Sequence, residues 1–506
     1  MERKTIKSAL ISVFDKTGID ELVKTLDQNN VKIISTGGTQ KYIEELGIKV
    51  TSVEEITGYK SILGGRVKTL HPLIFGGILS RRENANDLDD MKNYLIPEID
   101  LVIVDLYPFE ETVKNTDKES EIIEKIDIGG ISLIRAAAKN YKDVMIVPAQ
   151  KYYNEFLEII KETGCATNIE QRRTFAKYAF AVSSYYDSLI FSYFAGDDIE
   201  NLRIAVDQNI SMRYGENPHQ KGKFFGDFSQ IFDQLHGKQI SYNNLLDISS
   251  AVDLIDEFDE LTLAILKHNN ACGLASRNTL VEAWKDALAG DPVSAFGGII
   301  VTNTKVDLET AKEINKIFYE VIIAPDYDKD ALEVLMSKKN RIILVQKKKL
   351  DNKKLVRSAL NGYLVQDKDL QLGGKNEYKV VTDDKPTEEQ IEDLLFANKI
   401  VKHSKSNSIV LAKNKQLIGS GVGQTSRVDA LKQAIAKAES FGLDLKGSVM
   451  ASDAFFPFAD SVEIAYKAGV RSVIQPGGSI RDKDSIDYCN NHIMPMIFTG
   501  LRHFKH

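Results

Sequence analysis

Cysteine, histidine, basic charge and long apolar runs are what this chain has least of, and each shortage closes off a class of protein. Three cysteines in 506 residues, Cys165, Cys272 and Cys489, lie far apart. They make no disulfide framework, so a reducing cytoplasm is the expected compartment. No apolar stretch approaches the roughly 20 residues of a spanning helix. The opening "MERKTIKSALISVFDKTG" holds an apolar run too short for a signal peptide, broken by Asp15. The formal charge is -7, which argues against a nucleic-acid partner, because such proteins carry a basic face. Small phosphorylated ligands stay open, since they need only a few local cations. With 43% hydrophobic and 27% charged residues, the chain has the balance of a soluble globular protein. Its length allows at least two domains, each with its own core. No short-period repeat is visible.

Residues 1–198 alternate strand and helix patterns. "ALISVF" has strand length, and Thr17 is the expected N-cap of a helix carrying Ile19, Leu22, Val23 and Leu26 at helical spacing. "VKIIS" reads as the next strand, "TGGT" breaks it, and Gly47 is placed to stop the helix "QKYIEELG". "DLVIVDLYPF" and "DVMIVP" are nearly continuous apolar runs, as parallel strands covered on both faces require. The pattern predicts a doubly wound α/β domain with its ligand at the carboxyl ends of the strands. "FDKTG", "STGGT" and "DLYPF" fall there. The alternation fades around 196–212, and residues 199–506 read as a second, mixed α/β domain. Its Lys- and Asp-rich stretch, roughly 325–390, reads as a solvated excursion. "LAILKH" and "SIVLAKN" are each followed by helical patterns, which would suit two related α/β layers.

Several stretches carry chemistry. "STGGT" is either a tight glycine turn or an anion loop, with backbone N–H groups, threonine hydroxyls and a helix N-terminus facing the charge. "GGRVKTLHP" adds Arg66, Lys68, Thr69 and His71, either a solvated basic turn or a ligand wall. "IDIGGISLIRAAAKN" places Asp127 and two glycines at a helix start, with alanines for close packing and Lys139 at the far end. A lysine desolvated beside other cations exchanges protons near neutral pH. "LKHNNACG" sets Lys267, His268 and Cys272 together in a chain with only 8 histidines. A zinc deaminase needs three protein ligands and a glutamate; neither a nearby glutamate nor a second cysteine follows, so the metal reading fails on ligand count. A strand cap or an acid/base pair remains. "MRYGENPHQ", "KSNS", "GVGQTSR", "ASDAFFPFAD" and "QPGGSIRD" add polar clusters to the same half, and the aromatics beside Pro457 suit stacking on a flat heterocycle.

Taken together, "SVFDKTG", "GGRVKTLHP", "IDIGG" with "RAAAKN", "RYGENPHQ", "SDAFFPFAD" and the closing "LRHF" resemble, nearly end to end, the bifunctional purine-biosynthesis family that joins AICAR transformylase to IMP cyclohydrolase. The resemblance implies a methylglyoxal-synthase-like first domain (1–198) and a pair of cytidine-deaminase-like subdomains without zinc (199–506). It implies formyl transfer from 10-formyltetrahydrofolate to the 5-amino group of AICAR, then dehydrative ring closure to IMP, in a cytoplasmic homodimer without a catalytic metal. Carried over by motif, His268 accepts the amine proton and Lys267 stabilises charge. Arg213, Tyr214, Asn407, Arg427, Phe455, Asp460 and Arg502 hold the nucleotide, and Val428, Ser479 and Ile480 touch folate. For ring closure, Lys139 exchanges the proton, with Lys68, Tyr107 and Asp127 around the reacting atoms. Phe14, Asp15, Lys16, Thr36, Gly37, Gly38, Thr39, Arg66, Val67, Thr69, Val104, Asp105 and Ile128 line that nucleotide site. Ala271, Asp105 and Phe14 depart from the proline, asparagine and serine usual in the family. The rival readings are a chain with one live site and a purine-nucleotide sensor that kept only the pockets.

Overall fold

The computed structural model describes residues 3–196, 200–372 and 378–506. The chain divides into Met1–Asp207 and Gln208–His506; the boundary expected at 198/199 lies outside the described residues. Among those residues no helix is long and apolar enough to cross a membrane.

The first unit is built on five parallel strands in the order Val50–Ser52, Lys32–Ser35, Ser8–Ser12, Leu101–Val104, Met145–Val147. Every residue of the last two strands is inaccessible to solvent, which is why they read as unbroken apolar runs. From Ser8–Ser12 the chain winds outward in one direction, then crosses to Leu101–Val104 and winds the other way. The switch point therefore lies between these two strands, and their carboxyl ends open onto Phe14 and Asp105. Helix Asp20–Gln28 buries Leu22, Val23 and Leu26 as spaced, but its N-cap is Ile19 and no side chain caps it. Thr17 instead gives its N–H to the Asp15 carboxylate in the preceding turn. Helix Gly37–Glu45 starts inside "TGGT" and stops before Gly47, whose φ of 80° is left-handed. Helix Gly129–Lys139 buries Ala136, Ala137 and Ala138, so its alanines do serve close packing.

The second unit holds a 12-stranded sheet made of two like halves. In the first half, hairpin Thr262–Lys267/Asn270–Ser276 pairs with Ile299–Thr302, and Val321–Ala324 and Ile342–Gln346 extend it in parallel. In the second, hairpin Ile409–Lys413/Gln416–Gly421 pairs with Val449–Ser452, and Ser472–Gln475 and Met496–Phe498 extend it in parallel. Each half ends on a short antiparallel edge strand, Phe232–His236 or Lys379–Val380, and the halves meet where Ala275 pairs with Gln416. Helices Tyr242–Ile255 and Glu388–Lys402 both start with a capping box, Ser241 with Asn244 and Thr387 with Gln390. The two layers expected from "LAILKH" and "SIVLAKN" are thus an internal repeat. The solvated excursion is narrower than expected: Val321–Ala324 is wholly buried and Ile342–Gln346 lies inside the sheet. Among the described residues of that stretch, the hairpin Lys354–Ala359/Gly362–Asp367 is exposed along nearly its whole length; the charges flanking the buried strands concealed them.

Candidate functional site

In the first unit two helix N-termini and the carboxyl ends of the central strands enclose a cavity of about 660 Å³. Phe14, Lys16, Thr36, Gly38, Thr39, Arg66, Lys68, Thr69, Asp105, Tyr107, Asp127 and Ile128 line it, all of them expected. Glycines allow the close approaches. A Cβ on Gly65 would meet Lys68 Cε at 2.8 Å, and one on Gly37 would lie 3.4 Å from its Nζ, so the ammonium is seated over the start of helix Gly37–Glu45. A Cβ on Gly130 would meet Asp127 Oδ2 at 2.7 Å, and Asp127 Oδ1 accepts the Gly130 N–H at 2.6 Å. Burial pushes the Asp127 carboxyl above the usual carboxylate range, opposed by that N–H. Burial, aided by the Asp127 charge, raises the Tyr107 hydroxyl as well. Burial raises the Asp105 carboxyl too, against the N–H groups of Phe14 and Asp15. A cavity edged by lysines and helix N-termini, with two carboxylates of raised pKa, suits a phosphorylated ligand and a proton transfer.

The second unit gathers its candidates around the hairpin tip. Lys267 and Asn270 face each other in the ladder, so His268 and Asn269 form a two-residue turn with φ of 51° and 65°. Left-handed conformation at both central positions marks a type I′ turn, whose preferred first occupants are Asn, Asp and Gly rather than histidine. The turn is clasped from three sides. Asp247 accepts the Asn269 N–H at 2.7 Å, Lys267 Nζ donates to Phe296 O, and Asn270 Oδ1 accepts the Lys405 N–H at 2.9 Å. From Lys405 the contacts run on: Asn407 Nδ2 donates to Gln424 O, Arg427 donates to Asn407 Oδ1 at 2.8 Å, and Arg427 also pairs with Asp453. The His503 N–H reaches Asp453 O, and the Ser406 N–H reaches Lys505 O. One network therefore joins the hairpin tip, Asn407, Arg427 and the C-terminal segment that carries Arg502. Phe455, Asp460, Ser479, Ile480 and Arg502 all follow the carboxyl ends of Val449–Ser452, Ser472–Gln475 and Met496–Phe498. Arg213 and Tyr214 lie in a turn tied to helix Tyr242–Ile255, where Asn243 Nδ2 donates to Glu216 O.

The AICARFT/IMPCHase bienzyme model matches residues 137–437, and the MGS-like domain model matches residues 18–132. The bifunctional purine biosynthesis protein PurH of Bacteroides thetaiotaomicron is 63% identical over 505 residues, covering 100% of both chains. The protein of the same name from Persephonella marina is 49% identical over 99% of this chain and 100% of its own.

The chain belongs to the AICARFT/IMPCHase bienzyme family.

As a member it is a bifunctional enzyme of purine biosynthesis, an AICAR formyltransferase joined to an IMP cyclohydrolase. Several expected groups have other duties in the bienzyme's own frame. Thr39 Oγ1 donates to Val13 O and accepts the Val13 N–H, and Thr36 Oγ1 donates to Glu54. The threonine hydroxyls thus shape the loop, and the anion reading of it rests on backbone N–H groups alone. His71 caps helix Pro72–Leu79 by accepting the Leu73 N–H, so it is no ligand wall. Lys16 Nζ is held by Val13 O and Phe14 O, and Arg66 by Glu124. Asp105 accepts the N–H groups of Phe14 and Asp15; the departure from asparagine is absorbed by the loop backbone. Ala271 is a paired strand residue, because the expected loop is a tight hairpin.

Asp15, Gly37, Val67 and Val104 stand beside the cavity lining. Lys139 is exposed at the other end of helix Gly129–Lys139, about 15 Å along the axis from the cavity. The desolvation expected of it is not found within the chain. Lys125, by contrast, was missed. Its ammonium lies 5.1 Å from the Phe14 ring centre and 5.6 Å from that of Tyr107, and these rings meet edge to face. Only the neighbouring "IDIGG" hinted at it. Cys272 is inert, because burial pushes its thiol up to about 12.

Proposed function

We propose that the two reactions occupy separate sites, ring closure in the Met1–Asp207 cavity and formyl transfer at the Lys267–Asn270 hairpin tip. In the first, the carboxamide nitrogen of formyl-AICAR attacks the formyl carbon, and the oxygen takes up a proton as the C–N bond forms. The C–O bond then breaks, and water leaves at the cost of one carboxamide proton and the formamide N–H proton. The Asp127 carboxylate accepts the first proton. Lys68, which lines the same cavity as Lys125, supplies the ammonium that protonates the oxygen; its amine then takes up the formamide proton as Asp127 returns its own to the departing hydroxyl. The phosphate sits against the N–H groups of Gly37–Thr39, and Tyr107 and Phe14 flank the heterocycle.

In the second site the 5-amino nitrogen of AICAR attacks the formyl carbon of 10-formyltetrahydrofolate. The amine is conjugated with its ring and nucleophilic only if its proton leaves during attack, so His268 accepts that proton and N10 of the folate receives it. Lys267 stabilises the oxyanion. Arg213, Tyr214, Asn407, Arg427, Phe455, Asp460 and Arg502 frame the nucleotide; Val428, Ser479 and Ile480 lie on the folate side. The enzyme works as a cytoplasmic homodimer on small molecules and needs no catalytic metal. What supports this reading is the division of proton-transfer groups: each unit holds its own set of nitrogen bases. His268→Ala should abolish formyl transfer and leave closure of supplied formyl-AICAR intact, while Lys68→Met should do the reverse. If either substitution removes both activities from folded protein, the two-site reading is wrong.

A further inference from the structure

The internal repeat gives the catalytic hairpin a natural control. Asp247 and Asp393 occupy the same place in their helices, six residues after the capping residues Ser241 and Thr387. Both reach the following hairpin, but differently. Asp393 accepts both turn amides, Asn414 N–H at 2.7 Å and Lys415 N–H at 2.6 Å, so its two oxygens are committed to backbone. Asp247 accepts only the Asn269 N–H, through Oδ1. Its other oxygen makes no hydrogen bond among the described residues, and the charged groups acting on this carboxylate are His268 and Lys267. The second repeat carries Asn414 and Lys415 at its tip, and no imidazole; the first carries His268, and its carboxylate has been left one oxygen free.

We infer that Asp247 is the positioning residue of formyl transfer, clamping the His268–Asn269 turn with one oxygen and balancing the imidazolium of His268 with the other. The inference rests on the hairpin being the transformylase site. Asp247 does not touch the reacting atoms. It acts through His268, which accepts the AICAR amine proton as the N–C bond forms and returns it to N10 as the folate leaves. A carboxylate beside an imidazole stabilises the charge the ring acquires when it accepts a proton. Burial raises the Asp247 carboxyl, while the Asn269 N–H and the charges of His268 and Lys267 oppose that rise.

The test uses the full-length enzyme with Asp247→Asn, which keeps an acceptor for the Asn269 N–H but loses the charge, and Asp393→Asn as the matched change in the other repeat. Formyl transfer is followed against pH with AICAR and 10-formyltetrahydrofolate, and closure of supplied formyl-AICAR is the internal reference. Asp247→Asn is expected to lower kcat for formyl transfer about tenfold or more, with KM for AICAR within about twofold and closure unchanged. The acid limb of the profile should move to lower pH, because His268 loses its anion. Asp393→Asn should lower thermal stability alone. If both variants lose only stability, with kcat and profile unmoved, Asp247 is structural and the inference is overturned. Should Asp247→Asn not fold, Asp247→Ser carries the same comparison. His268→Ala in the same assay separates the two ideas: retained formyl transfer there removes the site itself, whereas its loss beside an unmoved Asp247→Asn removes only the role of Asp247.

Discussion

Replacing Arg427 by methionine should damage the second unit far more than its loss of one nucleotide contact implies. The guanidinium is buried and donates to Asn407 Oδ1 at 2.8 Å and to Ser452 Oγ at 2.9 Å, besides pairing with Asp453. Asp453 is fully inaccessible, and its Oδ2 already has no partner among the described residues. Methionine fills the space of the stem but strands a buried carboxylate, a change that costs about 3–5 kcal/mol. With a urea slope of about 3 kcal/mol/M, the midpoint should fall by about 1–1.7 M. The protein has its own probe: Trp284 is the chain's single tryptophan, buried in the second unit. Its fluorescence follows that unit alone, and closure of formyl-AICAR in the same samples follows the first. Adding Asp453→Asn removes the stranded charge and should recover a large part of the loss, which a double-mutant cycle measures. A midpoint shift under about 0.3 M, or a double variant no better than the single one, would refute the frame role given to Arg427.

Other consequences are quick to test. Burial lowers the pKa of His403, so its neutral ring donates Nε2–H to Glu257 at 2.8 Å while Lys402 balances the carboxylate. A depressed histidine contributes stability that is present above its unfolded value of 6.5 and is lost as pH falls through the folded value. Trp284-monitored stability should therefore drop as pH falls below 6.5, and His403→Asn should flatten that window; an unchanged slope in the variant argues against a buried neutral ring. All three cysteines are buried, and burial pushes Cys272 and Cys489 each up to about 12. Native enzyme should give no fast reaction with a thiol-specific disulfide reagent near pH 8, and prompt stoichiometric labelling would show that the second unit opens readily.

The first unit was the more legible half, and the reason is periodicity. A parallel sheet covered on both faces leaves unbroken apolar strands, and glycines mark where helices begin beneath a ligand, so strands, switch point and most of the cavity lining could be read directly. What could not be read was the use of each polar atom. Thr36, Thr39 and His71 are donors or acceptors by composition; only geometry shows that Val13, Glu54 and Leu73 already engage them. Lys139 was singled out by its motif, but a straight helix carries it away from the cavity that its own first turn lines. Lys125 belongs to no periodic pattern, and its place over Phe14 and Tyr107 depends on the loop at Phe14 meeting the loop at Asp105, 91 residues further along the chain.

The repeat in the second unit shows where sequence reading must fail. Across "LAILKHNNACG" and "IVLAKNKQLIG" only two of the eleven positions agree, Lys267 with Lys413 and Gly273 with Gly419. The glycine is kept for packing. A Cβ on Gly273 would lie 1.9 Å from Ala287 O, and one on Gly419 would lie 2.3 Å from Ala434 O, because in each repeat the following helix lies against the hairpin. The other positions were free to diverge once volume and alternation were preserved. Glu257 and His403, which bond to each other, are themselves 146 residues apart, the spacing of the repeat; equivalent positions have become the two sides of one buried contact. Divergence of this kind erases similarity while preserving the hairpin, the clasping aspartate and the capped helix. A turn geometry that two copies share can then hold a base in one and plain structure in the other, which is why His268 gains its meaning from a comparison with Asn414 that the backbone alone makes possible.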